Sequence, residues 1–107
     1  MEEPIRNDLV VVVVGSGCTD TVMEAAKSAG ARWGTILHGR RVDEEGDEGG
    51  LRPEKEIVAI LTPRDRRQAI LEAVNRAAGA ATESHGVLFS LPVEHVMGLS
   101  RGDGPFS

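Results

Sequence analysis

The first third of the chain carries an apolar run of strand length followed by a helical repeat. Residues 9–14 are continuously apolar and precede Gly15-Ser16-Gly17, a pattern typical of a strand that is buried on both faces. Apolar side chains then recur at helical spacing, at Val22, Ala25, Ala26 and Ala29. With Gly30 as the stop signal, the pattern predicts a central strand and then a helix over about 20–29.

The rest of the chain continues this alternation. Residues 33–41 and 56–62 have the β-branched content and the length of two further strands. A second helix is predicted by an apolar stripe that ends at Gly79 and consists of Ile70, Leu71, Val74, Ala77 and Ala78. Residues 86–91 predict the last strand, and residues 92–97 predict a short turn or an extra strand.

The order strand, helix, strand, strand, helix, strand predicts an α+β fold, a ferredoxin-like βαββαβ sandwich with an antiparallel sheet and two helices on one face. Two helices cover only one face of the sheet, whereas the apolar side chains of residues 9–14 lie on both faces. We therefore expect the second face to be buried against other copies of the chain. Only 3% of the residues are aromatic, which leaves a small aliphatic core and makes association more favourable. A length of 107 residues predicts one domain over 1–107, with its core over about 8–99.

Composition removes several classes of function. A chain that is 40% hydrophobic and 27% charged is typical of a soluble globular protein. Its net charge of -5 repels a phosphate backbone, so we expect no nucleic-acid partner. Cys18 has no second cysteine to pair with, and the apolar run 9–14 is too short for an export signal or a membrane span. We therefore expect a free thiol and a cytoplasmic protein.

Two segments lack any hydrophobic period. Residues 42–52 are acidic and rich in glycine, which predicts a mobile loop between the second and third strands. Residues 100–107 are rich in glycine and polar residues, which predicts a frayed carboxyl-terminal tail.

Several segments together resemble a known family. They are Gly17-Cys18-Thr19-Asp20-Thr21-Val22, Gly34-Thr35-Ile36-Leu37-His38-Gly39-Arg40, Pro53-Glu54-Lys55-Glu56-Ile57-Val58 and Gly86-Val87-Leu88-Phe89-Ser90-Leu91-Pro92-Val93-Glu94-His95-Val96. Over about 10–99 the chain resembles the nitrogen-regulatory PII signalling proteins, particularly their PII-like branch. The resemblance implies a homotrimer that binds adenine nucleotides in clefts between subunits. It also implies that the 42–52 loop contacts a regulated partner, either a membrane transporter or a metabolic enzyme.

The resemblance also implies a set of nucleotide-binding residues, namely Gly34, Thr35, Gly39, Arg40, Arg41, Ser84, His85 and Gly86. In the family a threonine like Thr35 lies beside the adenine, and basic residues at the base of the loop approach phosphates. Ser84-His85-Gly86 stands in place of a Gly-Asp-Gly turn. Val87 replaces a phosphate-contacting lysine, and Ala59 stands where the ribose has a carboxylate partner. The implied effector is ADP, AMP or ATP, with no tightly bound cofactor.

Each of these features also has a simpler interpretation. The Gly15-Ser16-Gly17 stretch is either an anion site at a helix start or a plain tight turn. Cys18 is either a reactive thiol or a buried inert one. Arg40 and Arg41 either contact phosphate or pair with nearby acidic residues. The segment Arg64-Asp65-Arg66-Arg67 is most simply the polar first turn of the second helix.

Functions of other classes remain open. No paired catalytic carboxylates, Ser/His/Asp order or HExxH motif is present, so we expect no enzymatic activity. His38, His85 and His95 match no metal-ligand spacing, and surface roles are the simplest reading for them, so we expect no metal site. The main alternative is a trimeric metal-tolerance protein of the CutA type or a small ferredoxin-like enzyme, and ordered metal at His38 or His85 would favour it. An interaction module without a small ligand is a third possibility.

Overall fold

The computed structural model describes residues 6–42 and 54–98. Six elements follow one another, β1 (Asn7–Gly15), α1 (Thr19–Ser28), β2 (Thr35–Arg40), β3 (Glu54–Pro63), α2 (Arg64–Ala78) and β4 (Val87–Val93). This βαββαβ order with an antiparallel sheet confirms the predicted ferredoxin-like fold. The tail 100–107, and the predicted loop 42–52 apart from Val42, lie outside the described residues.

The strands are arranged in the order β2-β3-β1-β4 within one sheet. All neighbouring pairs are antiparallel, with Val12 of β1 opposite Val58 of β3 on one side and opposite Leu88 of β4 on the other. The run of valines therefore forms a central strand, as its sequence predicts. The order also makes β2 and β4 the two edges of the sheet.

One face of the sheet packs against both helices. Alternate residues of β1 and β3 are fully buried there, because successive side chains of a strand point to opposite faces. The core cluster consists of Val10, Val12, Val14, Val22, Ala26, Ala31, Val58, Ile60, Ile70, Val74 and Ala78. Aliphatic residues alone fill this core, as the low aromatic content predicts.

The opposite face of the sheet, which we call the open face, is also apolar. The strand registers place two rows on it, Thr35-Ala59-Val11-Phe89 and Leu37-Ile57-Val13-Val87. The side chains at the sheet edges are the most exposed, with 48% of Leu37 and 47% of Phe89 accessible to solvent. A contiguous apolar surface of this kind marks an interaction site.

The ends of the elements differ slightly from the sequence predictions. α1 begins at Thr19, with Cys18 at the N-cap position, and Gly30 has the positive φ of 111° expected of a stop residue. Pro92 and Val93 extend β4, so no extra strand follows it within residues 94–98. β4 tolerates Pro92 because an edge strand leaves one side of its backbone unpaired.

A buried ion-pair cluster fixes the start of α2 to the start of β1. Asp8 is only 1% exposed, and its carboxylate accepts hydrogen bonds from Arg64 at 3.1 Å and from Arg67 at 2.8 Å. Burial alone would raise the pKa of Asp8, but the hydrogen bonds and positive charges of the two guanidinium groups outweigh it and hold that pKa below its ordinary value. The first turn of α2 is thus a structural anchor, consistent with the simpler interpretation of its arginines.

Candidate functional site

Two groups of candidate residues lie at one end of the sheet, whereas Gly34 and Thr35 lie at the start of β2, with Thr35 about 16 Å from Arg40 along the strand. β2 runs parallel to β1 and ends at Arg40, while β4 runs antiparallel to β1 and begins at Val87. The carboxyl end of β2 and the turn before β4 therefore lie at the same end of the sheet. They lie on opposite edges, three strand spacings or about 14 Å apart.

The turn before β4, formed by Ser84, His85 and Gly86, is held by backbone hydrogen bonds. Gly86 N–H donates to the carbonyl of Ala78 at 2.8 Å, and Gly15 N–H donates to the carbonyl of Ser84 at 3.2 Å. A Cβ on residue 86 would collide with the Ala78 carbonyl, so this close approach requires glycine. His85 has a left-handed φ of 48° and an exposed side chain. The turn therefore presents an imidazole to solvent from a fixed backbone.

β2 brings the other candidates along one exposed edge. Thr35 lies on the open face opposite Ala59, and Arg40 lies on the helix side of the sheet opposite Glu54. Arg40 and Arg41 are both exposed. Gly34 precedes the strand, where an added Cβ would come within 2.7 Å of the Met23 sulfur. The edge thus presents a threonine hydroxyl and two guanidinium groups on one short segment.

Two positions to which the sequence resemblance assigns nucleotide contacts lie on the open face. Val87 is 60% exposed there and offers no charge to a phosphate. The side chain of Ala59 is a methyl group, so the open face of β3 provides no carboxylate for a ribose at that position. The carboxylates that β3 does contribute near this end of the sheet are those of Glu54 and Glu56, both on the helix side of the sheet.

Glu56 is a residue that the sequence interpretation missed. It is 9% exposed, and its Oε1 accepts a hydrogen bond of 2.6 Å from the backbone N–H of Gly17 in the turn between β1 and α1. Its Oε2 lies 3.6 Å from Nδ1 of His38, the residue opposite it on β2. The Gly17 amide is therefore already paired with an anion of the chain, which favours the tight-turn interpretation of Gly15-Ser16-Gly17. The available signal in the sequence was a glutamate at the start of an otherwise apolar strand.

The remaining candidates lie apart from one another. Cys18 is half-buried and packs against the core. His38 and His85 lie at one end of the sheet on opposite edges, and His95 follows the far end of β4. Within residues 6–42 and 54–98, no group of three or more His, Cys, Asp or Glu side chains is arranged to hold a metal ion. Over the same residues, no helix is long and apolar enough to cross a membrane.

Comparison with known proteins shows a likeness in structure. No protein-family model and no curated protein matches the chain in sequence. The crystal structure of Arabidopsis thaliana PII bound to citrate matches with a TM-score of 0.71 and 20% identity, covering 94% of this chain and 86% of that one. The B. subtilis GlnK–ATP complex matches with a TM-score of 0.68 and 14% identity, covering 94% of both chains. The chain therefore has the fold of the PII and GlnK proteins, which confirms the resemblance seen in its sequence as a structural match.

Proposed function

We propose that the chain is a PII-like signal-transduction protein that binds an adenine nucleotide in clefts between the subunits of a homotrimer. In this proposal it is a cytoplasmic regulator without enzymatic activity of its own. Nucleotide binding repositions residues 42–52, which then engage or release a membrane transporter or a metabolic enzyme. The observation that carries the proposal is the placement of the two candidate groups at one end of the sheet on opposite edges.

This placement favours a site between subunits. Arg40 and the Ser84-His85-Gly86 turn are about 14 Å apart across the sheet in one subunit, with β3 and β1 between them. A cyclic trimer joins two different surfaces of neighbouring subunits at every contact, so the β2 edge of one subunit can meet the β4 edge of the next. Both groups then line one cleft. All clefts open at the same end, because cyclic symmetry points every subunit the same way along the axis.

The open face supports the homotrimer. It holds Val11, Ile57 and Phe89 among other apolar residues, and in a single subunit neither helix covers it. Burying such a face stabilises an assembly by roughly 25 cal/mol for each Å² of apolar surface removed from water. A chain with this small an aliphatic core gains more from that burial than a larger domain would.

The structural neighbours support an effector of anionic character. The B. subtilis GlnK structure is that of its complex with ATP, and the Arabidopsis thaliana PII structure contains bound citrate. Both ligands carry several negative charges, which guanidinium groups recognise through paired hydrogen bonds. In this chain Arg40 and Arg41, next to Gly39, serve the phosphates. Thr35 with its neighbour Gly34 and the Ser84-His85-Gly86 turn serve the base and the sugar.

The missing lysine sets an expected preference. Val87 supplies no charge-assisted hydrogen bond, and such a bond contributes on the order of 1.5 to 3 kcal/mol. Longer polyphosphates lose most from its absence. We therefore expect ADP and AMP to compete well with ATP.

Calorimetry tests the proposed phosphate contacts. Replacing both Arg40 and Arg41 with alanine is expected to weaken nucleotide binding by about tenfold or more, since each charge-assisted contact contributes more than 1.4 kcal/mol. The matched control replaces Lys27 and Arg32 with alanine, which removes two exposed cations at the opposite end of the sheet. Wild-type protein that gives no heat with ATP, ADP or AMP would reject the nucleotide site. Equal affinity in wild type and the arginine variant would reject these phosphate contacts.

A second candidate function has one observation in its favour. The contact between His38 and Glu56 brings two metal-binding side chains together, as a trimeric metal-tolerance protein of the CutA type would require. A thermal-shift screen with nucleotides and divalent metals separates the two functions. Stabilisation by a metal and by no nucleotide would favour the metal-binding protein.

A further inference from the structure

The turn before β4 carries an unusual backbone conformation at one of the candidate site residues. Among the residues that the structure describes, His85 is the only one other than glycine with a positive φ, at 48°. Side chains disfavour this left-handed conformation, and where it persists it is concentrated at functional sites. His85 N–H donates to the carbonyl of Thr82 at 3.1 Å, and the neighbouring Gly86 N–H donates to that of Ala78. The turn thus keeps an imidazole at a position that glycine would occupy with less strain.

The imidazole of His85 is exposed and makes no ion pair with any carboxylate of residues 6–42 and 54–98. The turn is bonded to the end of α2 and to the end of β1. The charged residues of the turn, of the last turn of α2 and of the adjoining rows of β3 are Glu83, Arg76, Lys55 and Glu56. The carboxylate of Glu56 contacts Gly17 and His38 instead. The His85 ring is therefore open to solvent and to a ligand.

The imidazole also lies close to the position where a cation is missing. His85 precedes Val87 by two residues, and two residues of chain span at most about 7 Å. Both side chains are exposed. In the proposed site the turn serves the base and the sugar, and the first phosphate of a nucleotide is attached to that sugar. A positive charge on the His85 ring would therefore stand beside the phosphates.

We propose that protonation of His85 supplies the positive charge that Val87 lacks, so that the affinity for adenine nucleotides rises as the pH falls. This inference rests on the proposed function and adds a means of regulating it. An imidazole changes its charge between pH 5 and pH 8, and a protonated ring donates charge-assisted hydrogen bonds to phosphate oxygens. A lysine at position 87 would stay charged over this range and give no such response.

Calorimetry with ADP at pH 8.0 and pH 6.0 tests this role of His85. The neutral variant is His85→Asn, because asparagine tolerates the left-handed backbone at this position. The ratio of the wild-type affinity to that of the variant is expected to rise from near one at pH 8.0 to about five- to tenfold at pH 6.0, as one charge-assisted contact forms. Comparing the two proteins at each pH cancels the protonation of the ADP phosphates themselves. Adenosine, which has no phosphate, should show no such rise.

A permanent cation at the same position provides a rescue. His85→Lys is charged at both pH values, so it should exceed the wild-type affinity for ADP at pH 8.0 by about the same factor. Its advantage over wild type should disappear at pH 6.0, where the imidazole is itself mostly protonated. Circular dichroism checks that the variants fold like wild type.

His38 provides the matched control, because it is a second exposed imidazole at this end of the sheet. His38→Asn is expected to keep the wild-type dependence of ADP affinity on pH. An affinity ratio between wild type and His85→Asn that is the same at both pH values, or a pH dependence lost only in His38→Asn, would overturn the inference and leave the nucleotide site standing. Absence of heat in wild type at both pH values would reject the nucleotide site, and the inference with it.

Discussion

Replacement of Asp8 with asparagine is expected to lower the free energy of unfolding by about 3 kcal/mol, near the lower end of the range for breaking a buried ion pair. The variant leaves Arg64 and Arg67 facing a neutral amide in a buried position. Both arginine side chains are 37% exposed, so water stabilises them in part and keeps the loss at this lower end. Urea unfolding at pH 7 measures the effect. Glu24→Gln, which neutralises an exposed carboxylate of α1, is the control and should change the free energy by less than about 0.5 kcal/mol.

The same carboxylate gives the stability a defined pH dependence. The pKa of Asp8 is held below its ordinary value of 3.8 by Arg64 and Arg67. The ionised carboxylate therefore contributes its full stability above about pH 4, and this contribution is lost as the pH falls through the lower pKa of the folded state. The difference in unfolding free energy between wild type and Asp8→Asn should be constant from pH 7 to pH 5 and shrink below pH 4. A difference that stays constant at low pH would contradict the ion-pair account.

Replacement of Val11 with aspartate on the open face is expected to convert the proposed trimer into monomers. Val11 lies in the middle of that face, between Ala59 of β3 and Phe89 of β4. In the proposed trimer the new carboxylate would be buried without a partner, which costs several kcal/mol for each subunit. Sedimentation velocity at micromolar concentration measures the outcome, and nucleotide binding should be lost together with the trimer.

Two milder substitutions at the same position keep this test informative. Val11→Ile retains the apolar surface and should remain trimeric. Val11→Thr has nearly the same shape but adds a hydroxyl, so its trimer should dissociate at a higher concentration than that of wild type. A wild-type protein that sediments as a stable monomer, or an Asp variant that stays trimeric, would contradict burial of the open face.

The fold could be predicted from the sequence because its signals are local. The unbroken apolar run 9–14 predicts a central strand, and β1 is one, with neighbours on both sides. Gly30 and Gly79 predict the ends of the two helices, and α1 and α2 end just before them. The order of six elements then leaves few ways to build a sheet. The apolar character of both faces of residues 9–14 is also a local property, and it predicts the open face.

The contacts within the site depend instead on residues far apart in the chain. Glu56 pairs with Gly17 across 39 positions, and Asp8 pairs with Arg67 across 59. Neither pair follows a helical or strand period, so only the folded structure reveals them. The pairing of His38 with Glu56 likewise depends on that register, because a shift by one residue would place the two side chains on opposite faces. Their partnership therefore had no signal in the sequence.

Assembly of mixed trimers tests the central claim that the nucleotide site lies between subunits. One subunit carries Arg40→Ala with Arg41→Ala, and the other carries His85→Glu, which places a negative charge on the turn before β4. Each homotrimer should bind ADP weakly. Co-expression with two affinity tags and successive purification yields trimers that contain both kinds of subunit.

Calorimetry with ADP on these mixed trimers is the decisive measurement. Each mixed trimer contains one cleft in which an intact β2 edge from the His85→Glu subunit faces an intact turn from the arginine variant. The account predicts that ADP binding of near wild-type affinity returns in the mixed trimers, at one site for each trimer. If the mixed trimers bind ADP as weakly as either parent, Arg40, Arg41 and His85 do not form a shared site between subunits.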